Sequence, residues 1–130
     1  MADHPNAEMF RSAMEALAAA DLDGFAAALT DDVVWHAPGT SRFGGRFEGK
    51  EAVLDRMRRM REAGIRTRFE VHDVLGNDVH VVALVHMHME NAEGGRYHEP
   101  QVNVLHVRGG KVAEFWAMNQ DQPVIDTLLG

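Results

Sequence analysis

The residues whose types and spacing could do chemistry begin in Asp31 to Ala52, DDVVWHAPGTSRFGGRFEGKEA, where a short apolar run carries His36 into Ala37-Pro38-Gly39. Pro38 has no N–H for a sheet ladder and Gly39 permits a tight turn, so the strand is expected to stop near His36. An imidazole at a strand end, beside a long irregular loop, sits where binding groups gather. Its ordinary pKa near ~6.5 suits proton abstraction at neutral pH, often worth roughly 10²- to 10⁴-fold. A second cluster is His86-Met87-His88, with Glu90 following and His98 and His106 on the next strand-like run. Two histidines and a carboxylate suit zinc or non-haem iron, which makes a metal-dependent oxygenase one reading. The spacing to Glu90 is shorter than the cupin metal pattern, however, and three helices exceed what a plain cupin barrel holds. No metal is therefore expected.

The elements that must position these groups follow from periodicity. Pro5 and Asn6 offer a helix start, and Met9, Phe10, Ala13, Met14 and Leu17 recur at helical spacing. Asp21 is a plausible cap for a second helix marked by Leu22, Phe25 and Leu29. Residues 32–37 read as the first strand. After the Gly44-Gly45 and Gly49 loop, Val53, Leu54, Met57 and Met60 share one face of a third helix that Gly64 ends. Its arginines read as a solvated face. From Arg66 the period becomes two, with Phe69, Val71, Asp73 and Leu75 alternating with charged neighbours. Strands are expected at 79–89, 97–107 and 112–118, the last pair joined by Gly109-Gly110. Pro123 favours a final helical turn. Helices first and consecutive hairpins afterwards argue an α+β fold, one domain over 1–130.

Composition narrows the partners. The 130 residues carry a net charge of −7, and the 13 basic residues form no long run. Nucleic acid and anionic membrane need a concentrated positive face, so neither is expected. The absence of cysteine excludes disulfides and thiolate chemistry. The N-terminus lacks the pattern of a signal peptide, and no apolar run approaches the ~20 residues of a membrane span. A cytoplasmic protein is expected.

Period two divides the later strands into an odd face, with Val85, Met87, Glu99, Gln101, Asn103, Phe115 and Asn119, and an even face, with the histidines and Trp116. Both are partly apolar, so periodicity does not choose the interior. The order ααβαββββ, with DDVVWHAPG, GRFEGKEAV, FEVHDVL and HVRGGKVAEFWAMNQDQ, resembles the cone-shaped fold of the nuclear transport factor 2 superfamily, especially its SnoaL-like and ketosteroid-isomerase-like members. The resemblance implies three N-terminal helices on a curved, mainly antiparallel sheet with the odd face inside. It also implies a catalytic pair. His36 falls where ketosteroid isomerases carry their aspartate base, and Asn103 where they carry a protonated aspartate that donates to the substrate oxygen.

An amide donates at any pH, and one donor to a developing oxyanion is worth ~10²-fold or more. The implied substrate pocket is lined by Trp35, Phe10, Met14, Met57, Val85, Met87, Gln101, Phe115, Asn119 and Asp121. Asp121 has a plainer role open to it, capping the last helix. The family's tyrosine on the first helix is missing, and Tyr97 sits on a strand, which argues against steroid isomerisation. The expectation is a cofactor-independent isomerase, cyclase or dehydratase acting on a small apolar carbonyl or polyketide-like compound. The alternative is a non-catalytic protein that binds such a ligand. A homodimer through the outer sheet face is expected, since Val102, Val104, Trp116 and Met118 would otherwise lie open.

Overall fold

The computed structural model describes residues 3–130. Its elements run α1 (Pro5–Ala18), α2 (Leu22–Ala26), β1 (Leu29–Ala37), β2 (Gly45–Glu48), α3 (Lys50–Glu62), β3 (Arg66–Gly76), β4 (His80–Glu90), β5 (Arg96–Arg108), β6 (Lys111–Asn119) and α4 (Gln122–Leu129). The six strands form one sheet in the order β2-β1-β6-β5-β4-β3. All neighbours are antiparallel except β1 and β6, which run parallel. The expected α+β architecture is therefore present, with β2 an addition from within the glycine-rich loop. No helix among the described residues is long and apolar enough to cross a membrane.

Local chemistry sets the ends of the elements. Pro5 opens α1 with its fixed φ, and the His4 ring accepts from the Asn6 backbone N–H. Asn6 is itself buried and donates from Nδ2 to the carbonyls of Asn77 and Asp78, tying the helix start to the β3–β4 turn. The Asp21 carboxylate accepts from Gly24 N at 2.9 Å and starts α2. Gly109 and Gly110 take φ of 59° and 75°, the two left-handed positions that a two-residue β5–β6 hairpin requires.

The core lies between the helices and the odd face of the sheet. Phe10, Phe25, Val33, Val53, Val81, Ala83 and Leu105 are fully buried there. The sequence reading of β3 needs one correction. Val71 pairs with Val85 but Asp73 with Leu84, so His72 is an extra residue and the strand bulges. Alternation flips beyond it: Val74 is buried, whereas Asp73 is exposed and Leu75 is 54% exposed.

Candidate functional site

Between the sheet's inner face and the helices lies a cavity of about 210 Å³. The strands contribute Trp35, Ala37, Thr67, Phe69, Met87, Met89, Gln101, Asn103, Phe115, Ala117 and Asn119; α1 contributes Met14 and Leu17, α3 Arg56, Met57, Met60 and Arg61, and α4 Ile125 and Leu129. Of the residues expected at a pocket, Met14, Trp35, Met57, Met87, Gln101, Asn103, Phe115 and Asn119 meet here. A mostly apolar lining with a few convergent polar groups is the make-up of a small-molecule site.

Its aromatic wall is built by register. Trp35 of β1 sits opposite Phe115 of β6, and the parallel pairing stacks the two rings at 3.7 Å and 13°. Phe25 meets the Trp35 edge at 5.9 Å. The stacked Trp35–Phe115 pair is thus held in place from behind by Phe25.

Its polar floor is a chain of amides with a fixed direction. Asn103 Nδ2 donates to Gln101 Oε1 at 2.8 Å, and Gln101 Nε2 donates to Asn119 Oδ1 at 2.6 Å. Asn119 Nδ2 donates to Gln122 Oε1 at 2.7 Å, and Gln122 Nε2 donates to Asp126 Oδ1 at 2.9 Å and to the Pro38 carbonyl at 3.3 Å. A carboxylate and a carbonyl only accept, so the Gln122 amide must present its nitrogen to them, and each earlier amide must point the same way. Burial works against the charge of Asp126. Donors from Gln122 and from Thr40 outweigh it and hold the carboxyl below its ordinary value of 3.8. The anchor of the chain thus stays an acceptor at neutral pH. At the cavity end, the bond to Gln101 is the one side-chain hydrogen bond of Asn103 among the described residues, so its second N–H and its Oδ1 can donate to and accept from a bound molecule.

Four expectations are corrected. His36 does not join Asn103: alternation along β1 buries Val33, Trp35 and Ala37 and turns His36 to the opposite face. There its ring stacks on Trp116 at 4.9 Å, and its Nε2 donates to Glu114 Oε2 at 2.6 Å. That hydrogen bond, followed by the His36 and His106 charges, outweighs burial and holds the Glu114 carboxyl below its ordinary 4.5. Phe10 and Val85 are core residues packed away from the cavity. Asp121 is the cap of α4, accepting from Val124 N at 3.4 Å.

The histidine set also lies outside. His86 and His98 share a hydrogen bond of 2.9 Å, and His88 donates to Glu70 at 2.7 Å. Among the described residues, no group of three or more His, Asp or Glu side chains is arranged to hold a metal ion.

Two residues were missed by the sequence reading. Arg56, assigned there to a solvated face, lines the cavity. Glu99 is 2% exposed on the inner face, opposite Met87, and its Oε2 accepts from Asp121 N at 2.7 Å. Its Oε1 has no hydrogen-bond partner among the described residues, an arrangement costly enough to need a reason. An acid in line with Gln101 and Asn103 on the inward face of β5 was the available signal.

The family model described as a SnoaL-like domain matches residues 10–115. No curated protein matches the chain in sequence. An NTF2-like protein from Burkholderia pseudomallei superposes with a TM-score of 0.88 at 23% identity, covering 97% of this chain and 98% of its own. TerC, co-crystallised with polyporic acid, superposes with a TM-score of 0.86 at 18% identity, covering 97% and 98%. An LEH-like epoxide hydrolase of M. tuberculosis superposes with a TM-score of 0.77 at 19% identity, covering 96% and 90%. At these identities the likenesses establish the cone fold.

Proposed function

Because the chain belongs to the SnoaL-like domain family, we propose that its inner cavity receives a small, planar, mostly apolar carbonyl or polyketide-like compound. The observation that carries this reading is the amide chain, which ends inside an apolar cavity on an Asn103 amide bonded only to Gln101 among the described residues. A buried amide left so is expected to hold the oxygen of a guest, while the Trp35–Phe115 wall packs on its flat body. The co-crystallisation of a protein of the same fold with polyporic acid supports a ring compound as guest. The ionisable groups in the lining are Arg56 and Arg61, neither of them a base at neutral pH, which favours binding over turnover.

A proton-transfer enzyme is the second reading, and the orphan Oε1 of Glu99 favours it. Glu99 lies two residues from Gln101 on the same face, so a base is held in reserve beside the cavity. In that case Glu99 would take a proton from the carbon next to the guest carbonyl, Asn103 would hold the enolate oxygen, and the proton would return to carbon.

One titration separates these readings. With 2-acetylnaphthalene as probe, Asn103→Leu is expected to weaken binding about tenfold, the worth of a lost hydrogen bond in a dry site. His36→Ala is expected to bind as wild type. Affinity lost in His36→Ala and kept in Asn103→Leu would move the site to the other face. In D₂O, an enzyme would exchange the probe's methyl protons and Glu99→Gln would stop it; a binder would show no exchange.

On the outer face, Leu84 and Met118 are 37% and 55% exposed beside Val102, Val104 and Trp116. We propose that a second copy of the chain covers this surface. Analytical ultracentrifugation reads it directly, and a monomer throughout the micromolar range would overturn it.

A further inference from the structure

We propose that the cavity binds its guest as an anion, with a carboxylate or enolate oxygen paired to Arg56. This rests on the cavity being the ligand site and names the charge of what enters it. The chain carries a net charge of −7, yet the cavity lining contains two arginines and no acid.

Arg56 is half-buried, whereas Arg58, Arg59 and Arg61 on the same helix are exposed. Arg46, Arg59, Arg68 and Arg96 each reach a nearby carboxylate. Arg56 reaches none among the described residues. Its Nε donates to the Phe43 carbonyl at 2.8 Å, and its guanidinium lies over the Phe47 ring at 5.5 Å. Those contacts fix the plane of the group while leaving both terminal nitrogens without a partner among the described residues. Burial pulls the guanidinium pKa down to about 10, with the like charge of Arg59 adding to the effect, so the group remains cationic at neutral pH.

Taking a cation out of water is costly unless something answers it. Here the protein answers it with one carbonyl and one ring. Arg56 is part of the cavity lining, and the planar fork of a guanidinium matches a carboxylate or a delocalised enolate in a way an ammonium does not. Asn103 supplies the neutral contact and Arg56 the charged one, so the favoured guest is a planar aryl acid or an acidic enol.

Calorimetric titration with matched probes tests this. Wild type is expected to bind 2-naphthoate at least about tenfold more tightly than 2-naphthamide, as a charge-assisted hydrogen bond in a dry site should give. Arg56→Met is expected to close that gap, weakening 2-naphthoate far more than 2-naphthamide. Arg56→Gln, which can still donate to Phe43, should behave as the methionine variant does, and Arg56→Lys should keep part of the preference. Equal affinities of wild type for the two probes would overturn the proposal, as would a gap that survives in Arg56→Gln. Binding of 2-acetylnaphthalene without an acid preference would leave the cavity reading standing and sink the anion. Failure of all three probes to bind would sink both.

Discussion

Replacing Trp35 with alanine is expected to cost about 3–5 kcal/mol of unfolding free energy, among the largest effects of any single truncation in the chain. Trp35 is 8% exposed, stacks on Phe115 and meets the edge of Phe25, so its removal strips one side from two buried rings. The lost burial adds to the lost dispersion contacts, because the sheet on which Phe115 sits is paired on both sides and cannot close the gap. Trp116, one residue beyond Phe115, provides the control. It stacks on His36 on the outer face and is only half-buried. Trp116→Ala should therefore cost much less in the monomer. Urea unfolding of both variants measures the difference, and equal losses would contradict the assignment of the two faces.

Gln101→Leu is the second large effect. Gln101 stands in the middle of the amide chain, accepting from Asn103 and donating to Asn119. Leucine fills a similar volume but leaves one donor and one acceptor unanswered in a buried site. Each such group costs about 1–3 kcal/mol, so a total loss of about 2–4 kcal/mol is expected. Affinity for 2-acetylnaphthalene should fall with it, since Asn103 would lose the partner that orients its amide. The effect is reciprocal along the chain, because the direction of every amide is inherited from the acceptors at Asp126 and Pro38. Chemical denaturation and calorimetry on this variant read both consequences, and a stability loss below about 1 kcal/mol would show that the chain is not coupled.

Much of this arrangement is legible in the sequence. The α1 face through Phe10, Ala13, Met14 and Leu17 needs only helical spacing, and the β5–β6 hairpin needs only Gly109-Gly110. The inner position of Gln101, Asn103 and Asn119 follows once the face is chosen.

What fails to show is parity where no alternation exists. Val33-Val34-Trp35 is an unbroken apolar run, so nothing local says whether Trp35 or His36 turns inward; the pairing with β6, some eighty residues away, decides it. The bulge at His72 is likewise set by the partner strand. The direction of Arg56 was hidden for a different reason. Arginine at an amphipathic boundary is ordinary on a solvated helix, and only the tertiary fold shows that this one faces a cavity without an acid.

A guest in the inner cavity leaves the outer face alone, and the two tryptophans report on those surfaces separately. The most direct measurement is the titration of ¹⁵N-labelled protein with 2-acetylnaphthalene, followed at the two indole N–H resonances. The account predicts that the Trp35 signal shifts, together with the side-chain amides of Asn103 and Gln101, while Trp116 stays in place. A shift confined to Trp116, with Trp35 and the amides unmoved, would contradict it.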